Sequence, residues 1–220
     1  MSTSQAGSQA GGAARGSVKR DAVVEAATRA FLTHGYEASS MDAIAADANV
    51  SKRTVYNHFP GKRELFQAVV SELYEGFRSE DGQSLLRHDQ PPERALPAFL
   101  RSLLVHTGRP EVRGLLRLVI AEHQRFPELS QDYLEGGKSH AYALLDDYIA
   151  AQHARGRLNA PDAHVVATQL LGGMKEVLFW PTMLGLPVTA DPEKVIADSV
   201  AALIRAYGAA PVSVPAGSTG

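Results

Sequence analysis

Residues 39–62, SSMDAIAADANVSKRTVYNHFPGK, constrain this chain more tightly than any other stretch. Met41, Ile44, Ala45 and Ala48 recur at the i, i+3, i+4, i+7 spacing of one helical face, and Ser39 and Ser40 stand ahead of them as N-cap candidates. Asn49 interrupts the pattern, and it tolerates the left-handed backbone that a tight helix exit needs. Val50 plugs the turn, Ser51 caps a second helix, Val55 and Phe59 anchor it, and Pro60-Gly61 ends it. Every other side chain of that helix is polar: Lys52, Arg53, Thr54, Tyr56, Asn57 and His58. So narrow an apolar stripe does not explain a helix by packing alone. Two short helices around a turn, the second with a polar outward face, have the geometry of a helix-turn-helix whose second helix enters the major groove of DNA.

Net charge is −2, which looks wrong for a phosphate-binding surface until it is divided. Residues 15–63 hold eight Lys/Arg against five Asp/Glu, whereas the remainder holds 14 against 19. A basic head on an acidic body is the asymmetry expected when one end alone meets nucleic acid. At 220 residues, 45% hydrophobic, the chain can bury a sizeable core in one large or two small domains. It has no cysteine, which excludes disulfides and thiolate metal sites and suits a reducing, cytoplasmic location. No apolar run reaches the length of a membrane span, and the first residues carry no apolar segment of a secretory signal.

The periodicity is helical throughout and predicts an all-α protein. Residues 1–16 and 209–220, rich in Gly, Ser, Ala and Pro, are expected as disordered tails. Arg15, Lys19 and Arg20 are placed where an arm could reach a groove. Helix 1 is predicted over 18–34 with Gly35 as its stop, and helix 4 from Lys62 through Phe77 as a connector. Further helices are predicted from Pro92, from Pro110, over 128–154 with Gly156 closing it, over 164–186 and over 194–207. The last two are more apolar than one bundle wall needs, so they are expected to pair across a two-fold axis. Gly136-Gly137 and Gly172-Gly173 lack phosphate-loop neighbours and read as sites of close helix packing.

The segment from the Val23–His34 helix through Gly35-Tyr36, Ala43-Ile44-Ala45, Val50-Ser51, Thr54-Val55-Tyr56 and His58-Phe59 to Lys62 resembles the DNA-binding domain of the TetR family of transcriptional regulators. The resemblance covers roughly residues 17–77. A weaker similarity to AefR-like C-terminal domains of that family lies in Arg117–Glu122, Arg125–Leu129 and Arg155–Leu158. Together they imply a DNA-binding domain at 17–77, with its helix-turn-helix at 40–59, followed by a ligand-binding and dimerisation domain at 78–208. They also imply a homodimer joined through its last two helices. In that reading Lys52, Arg53 and Asn57 face base edges, since Arg can bind guanine in bidentate fashion. The resemblance carries Thr54, Tyr56, His58 and Lys62 over as backbone phosphate contacts. Ser40, at the start of helix 2, can add a hydroxyl, and Ser51 holds the recognition helix.

No other chemistry stands out. The scattered histidines show no metal spacing, and no nucleophile–base set or carboxylate pair reads as catalytic, so no cofactor, metal or catalytic residue is expected. An effector cavity in a helical bundle is apolar with a few polar groups. Phe77, Phe99, Leu103, His106, Tyr142, Met174, Phe179 and Trp180 supply that character, although each also suits plain core. The expected function is that of a regulator, a repressor in the first instance. It would bind a palindromic double-stranded DNA operator as a homodimer and be released by a small-molecule effector that shifts the spacing of its two heads. A helical enzyme, and a helix-turn-helix protein without an effector, are the alternatives.

Overall fold

The computed structural model describes residues 6–78 and 84–208, with side chains placed for 17–75 and 84–208. Among the described residues there is no strand, only an isolated antiparallel bridge between Leu158 and Gly208. In chain order the helices are α1 (Ala6–Ala38), α2 (Met41–Asp47), α3 (Lys52–His58), α4 (Lys62–Arg78), α5 (Pro92–Gly108), α6 (Pro110–Glu122), α7 (Glu128–Tyr133), α8 (Ser139–Ala154), α9 (Ala163–Met174), α10 (Trp180–Met183) and α11 (Pro192–Tyr207). Wider π turns, Leu134–Lys138 and Lys175–Phe179, join α7 to α8 and α9 to α10 without a break.

Two differences from the sequence expectations concern helix ends. Helix α1 begins at Ala6 rather than near residue 18, so part of the expected N-terminal tail is helical. That stretch alternates Ala with Gly, and Ala extends a helix already nucleated downstream. Residues 1–5 and 209–220 lie outside the described residues. At its other end α1 runs on to Ala38, but Gly35 interrupts it with a φ of 84°. A residue with a Cβ is strained there, so the expected stop at Gly35 takes the form of an elbow.

The chain divides into two compact units, the first comprising residues up to 79 with His106–Ala141 and the second Glu80–Val105 with the residues from Tyr142 onwards. The first unit thus adds α6 and α7, which pack on α1 and α4, to the helix-turn-helix. Its core joins Phe31, Tyr36, Ile44, Val55, Phe59, Leu65, Phe66, Leu115 and Leu129. Phe31, Tyr36 and Phe66 meet in tilted and edge-on ring contacts with centroids 5.6–5.9 Å apart. The π turn lies flat on α4, and a Cβ at Gly137 would stand 2.8 Å from the Tyr74 ring. That is the close packing expected of Gly136-Gly137. Nothing described lies within 4 Å of a Cβ at Gly172, and one at Gly173 would meet Ser199 Oγ at an ordinary contact distance of 3.4 Å, so packing among the described residues does not require the second pair.

In the second unit α9 packs along α11, burying Val166, Leu170, Leu171, Ile196, Val200 and Leu203. Leu171 and Val200, on the two helices expected to pair between subunits, are 1% and 5% exposed within the single chain. Val177 and Val165 remain 41% and 45% exposed.

Candidate nucleic-acid interface

Each short helix of the helix-turn-helix is held at its start by a serine. Ser40 Oγ accepts from the Ala43 N–H at 3.2 Å, and Ser51 Oγ accepts from the Thr54 N–H at 3.1 Å. The Ser51 and Thr54 hydroxyls also share a hydrogen bond of 2.9 Å. Asn49, with φ of 52°, takes the left-handed turn the sequence predicts for it. These caps satisfy N–H groups that helices of seven residues cannot satisfy internally.

Val55 and Phe59 are buried at 0% and 4% exposure, which turns the opposite face of α3 outwards. Arg53, Tyr56 and Asn57, spaced i, i+3, i+4, share that face and are all exposed. Lys52 and His58 are exposed beside them, and the His58 ring leans against Phe59 at 6.2 Å. The two adjacent cations differ. Lys52 Nζ donates to Asp42 on α2 at 2.5 Å, an ion pair that raises the lysine pKa through that hydrogen bond. Arg53 has no ion pair or hydrogen bond among the described residues, so its guanidinium fork is open to an acceptor.

Lys62, which the resemblance implies as a phosphate contact, is engaged within the protein. Its ammonium donates to the Tyr36 carbonyl at 2.8 Å, the Glu37 carbonyl at 3.0 Å and the Ser39 carbonyl at 3.1 Å, and it lies 4.6 Å above the Tyr36 ring. An ammonium has three donors, and all three are occupied inside the protein. Burial lowers its pKa, with Glu122 and Glu37 opposing that shift. The elbow that Lys62 grips is held from the other side by α6. Glu122 Oε1 accepts from the Tyr36 N–H at 3.2 Å and the Glu37 N–H at 3.4 Å. Arg125 forms a bidentate pair with Glu37, and Phe126 meets Tyr36 edge-on at 5.0 Å. Farther along, Asp132 on α7 is 4% exposed and accepts from Arg63 at 2.9 and 3.0 Å and from Gln67 at 2.8 Å. Burial pushes its pKa up, but these donors win and hold the carboxyl below its usual range. Asp42, Glu122, Arg125 and Asp132 are site-shaping residues that the sequence reading assigned no role.

Residues 23–69 match the family described as bacterial regulatory proteins, tetR family, and residues 94–209 match the AefR-like transcriptional repressor C-terminal domain. The second match spans more than half of the chain. The chain belongs to the TetR family. An uncharacterized HTH-type transcriptional regulator of Mycobacterium tuberculosis is 28% identical over 178 residues, 78% of this chain and 80% of that protein. Another from Bacillus subtilis is 33% identical over 91 residues, 40% of this chain and about half of the relative, 48%. Among solved structures, a putative TetR-family regulator from Mesorhizobium loti superposes with a TM-score of 0.75 at 29% identity, covering 88% of this chain and 98% of that one. The flavonoid-responsive regulator FrrA does so with a TM-score of 0.70 at 28% identity, covering 86% and 97%. This TetR-family chain is therefore a DNA-binding transcriptional regulator, and its family and fold are those of regulators rather than enzymes.

The residues expected at an effector site are scattered by comparison. Phe99, Leu103, His106 and Met174 are buried at 7% exposure or less, Tyr142 and Phe179 are half-buried, and Trp180 is 41% exposed. The Phe77 side chain lies outside the described ones. His106 belongs to the first unit, where its ring lies 4.9 Å from that of Tyr74. Phe179 and Trp180 meet edge-on at 5.2 Å. A groove of about 490 Å³ runs along α9 and α11 and is lined by Leu170, Gly173, Val177, Val195, Ala202 and Tyr207 among others, none of them an expected effector residue. Among the described residues no set of three or more His, Cys, Asp or Glu could hold a metal, and no helix is long and apolar enough to cross a membrane.

Proposed function

We propose that this regulator is a repressor that binds a two-fold symmetric operator as a homodimer and releases it when a small molecule occupies its C-terminal domain. The observation that carries the reading is the exposed face of α3, where Arg53, Tyr56 and Asn57 stand clear of an anchoring pair, Val55 and Phe59. In this reading Arg53 and Asn57 contact base edges, while Tyr56, Thr54, His58, Ser40 and Ser51 contact phosphate or hold the helix. Lys52 adds positive charge tempered by Asp42. Lys62 is assigned to the elbow rather than to phosphate, because its three donors are already engaged.

Repression is supported by the repressor description of the matching C-terminal domain. A response to small molecules is supported by the likeness to a flavonoid-responsive regulator. Dimerisation is supported by the partly apolar groove on the outside of α9 and α11, which leaves Val177 and Val195 accessible. An effector acts by preferring the state in which the two recognition helices no longer match successive major grooves, roughly 34–36 Å apart on B-form DNA. Selection of bound fragments from the source genome, followed by footprinting, tests the reading. A protected inverted repeat with half-sites one helical turn apart, or a multiple of it, is the expected result. Protection of an asymmetric single half-site by monomers would overturn it.

A further inference from the structure

The second unit contains a lysine whose surroundings differ from those of the other paired lysines. Lys52 and Lys194 meet Asp42 and Asp198 at 2.5 and 2.7 Å, and Lys62 meets three carbonyls. Lys175 is half-buried, and its single hydrogen bond among the described residues goes to the Tyr142 hydroxyl at 2.6 Å. Its ammonium also lies 4.7 Å above the ring of that tyrosine. Among the described residues two of its N–H donors have no protein acceptor and no carboxylate lies within ion-pairing distance of it. On α8, Asp146 is engaged with His164 at 2.9 Å.

A lysine that merely covers apolar surface lets its ammonium run out to water. Lys175 does the opposite, turning its charge onto a phenol and an aromatic face. Burial lowers its pKa to about 8, so at neutral pH the group is still mostly protonated while short of hydration. Keeping such a cation costs stability unless something pairs with it. Its backbone position is unusual too, since Lys175 opens the π turn Lys175–Phe179, and π turns inside helices occur frequently at functional sites. Met174 and Leu178, which flank it along the chain, are buried at 1% and 4% exposure. A cation with open donors over an aromatic ring, on a helix whose neighbouring residues are buried and apolar, suits a molecule with an anionic head and an apolar body.

We propose that Lys175 and Tyr142 form the anion-recognising end of the effector site, and that the effector is a small amphipathic carboxylate. The inference rests on the ligand-responsive reading above. In the complex the carboxylate accepts the two open Lys175 N–H groups, and Tyr142, which already accepts from Lys175, keeps the ammonium aimed.

Titration calorimetry with octanoate, palmitate and benzoate, each against its uncharged amide, tests this on the full chain. At least one carboxylate is expected to bind, with its amide about tenfold weaker or more, the loss expected for a hydrogen bond to a charged group. Lys175→Met should abolish that preference, and Lys175→Arg should restore most of it. Because Met removes a poorly hydrated charge, the Lys175→Met protein should melt no lower than the parent, so lost binding will not reflect lost folding. Equal binding of carboxylate and amide, carboxylate binding unchanged in Lys175→Met, or no carboxylate binding would each overturn the assignment. A gel-shift screen with uncharged compounds separates the two readings. Operator release by an uncharged compound alone leaves the ligand-responsive reading standing and removes the carboxylate. Carboxylate binding through Lys175 without operator release does the reverse.

Discussion

The ammonium of Lys62 and the backbone of Tyr36 are joined twice over, by a 2.8 Å hydrogen bond to the Tyr36 carbonyl and by a 4.6 Å approach to the Tyr36 ring. With Glu122 accepting the Tyr36 N–H at 3.2 Å, the residue after the Gly35 elbow is gripped on both its backbone groups. The elbow leads directly into Ser39 and Ser40, the start of α2. Any tilt of α4 or α6 must therefore move the entry to the helix-turn-helix, or break these bonds.

Lys62→Met should lower the stability of the protein by about 1–3 kcal/mol, because the part-buried Tyr36 and Ser39 carbonyls lose a charged donor. It should leave the slope of log affinity against log salt unchanged, since the ammonium releases no counterion from DNA. Chemical unfolding and salt titration of operator binding measure the two. A slope reduced by about one unit, with stability intact, would return Lys62 to the phosphate-contacting set.

The neighbouring cations of α3 should separate in the same way. Arg53→Ala should cost about 1–3 kcal/mol on the operator and little on random DNA, as expected for a base-reading side chain. Asp42→Asn, which frees Lys52 from its ion pair, should tighten binding to all sequences and steepen the salt dependence. Fluorescence anisotropy on matched and scrambled duplexes distinguishes these outcomes. Equal losses on both duplexes for Arg53→Ala would reduce that residue to a phosphate contact.

Local chemistry made the helix-turn-helix legible before any coordinates. Its caps, its Asn49 turn and its Val55 and Phe59 anchors act within a few residues, and each has a side-chain signature. The Gly35 elbow was visible for the same reason. The grip on that elbow was not, because Glu122 and Arg125 lie more than eighty residues from Tyr36 and Glu37, and no periodicity links them. Asp42 and Lys52 pair across a turn whose geometry had to be known first. The π turns escaped as well, since one inserted residue hardly disturbs a helical apolar pattern. For the proposed effector site, aromatic composition supplied the candidate residues, but it gave no weight to Lys175, a charged residue inside an apolar helix.

Burial and the nearby charge of Arg109 lower the His106 pKa to about 4, from an ordinary value of 6.5. The folded protein thus prefers the neutral ring. Its contribution is fully present above pH 6.5 and is lost as pH falls towards 4, because the unfolded chain takes up a proton that the folded chain refuses. The loss should reach roughly 2 kcal/mol by pH 5. His106→Phe should flatten this part of the stability–pH curve, measured as urea midpoints at pH 7 and pH 5. An identical slope in both proteins would show that the ring charges without penalty.

The proposed subunit interface can be tested only at positions that the single chain leaves open. Leu171→Glu or Val200→Glu would place a carboxylate inside the protomer, where both residues are buried, and would report unfolding rather than assembly. Val177 and Ala202 are exposed and line the same groove along α9 and α11. A carboxylate at either costs little in a monomer, but it costs about 3–5 kcal/mol if a partner subunit buries it without a counter-charge. Val177→Glu combined with Ala202→Glu should therefore melt close to the parent temperature, run as a monomer in light scattering, and bind operator far more weakly, since each molecule then offers one recognition helix. A double variant that stays dimeric and bound to its operator would move the interface off the α9–α11 face.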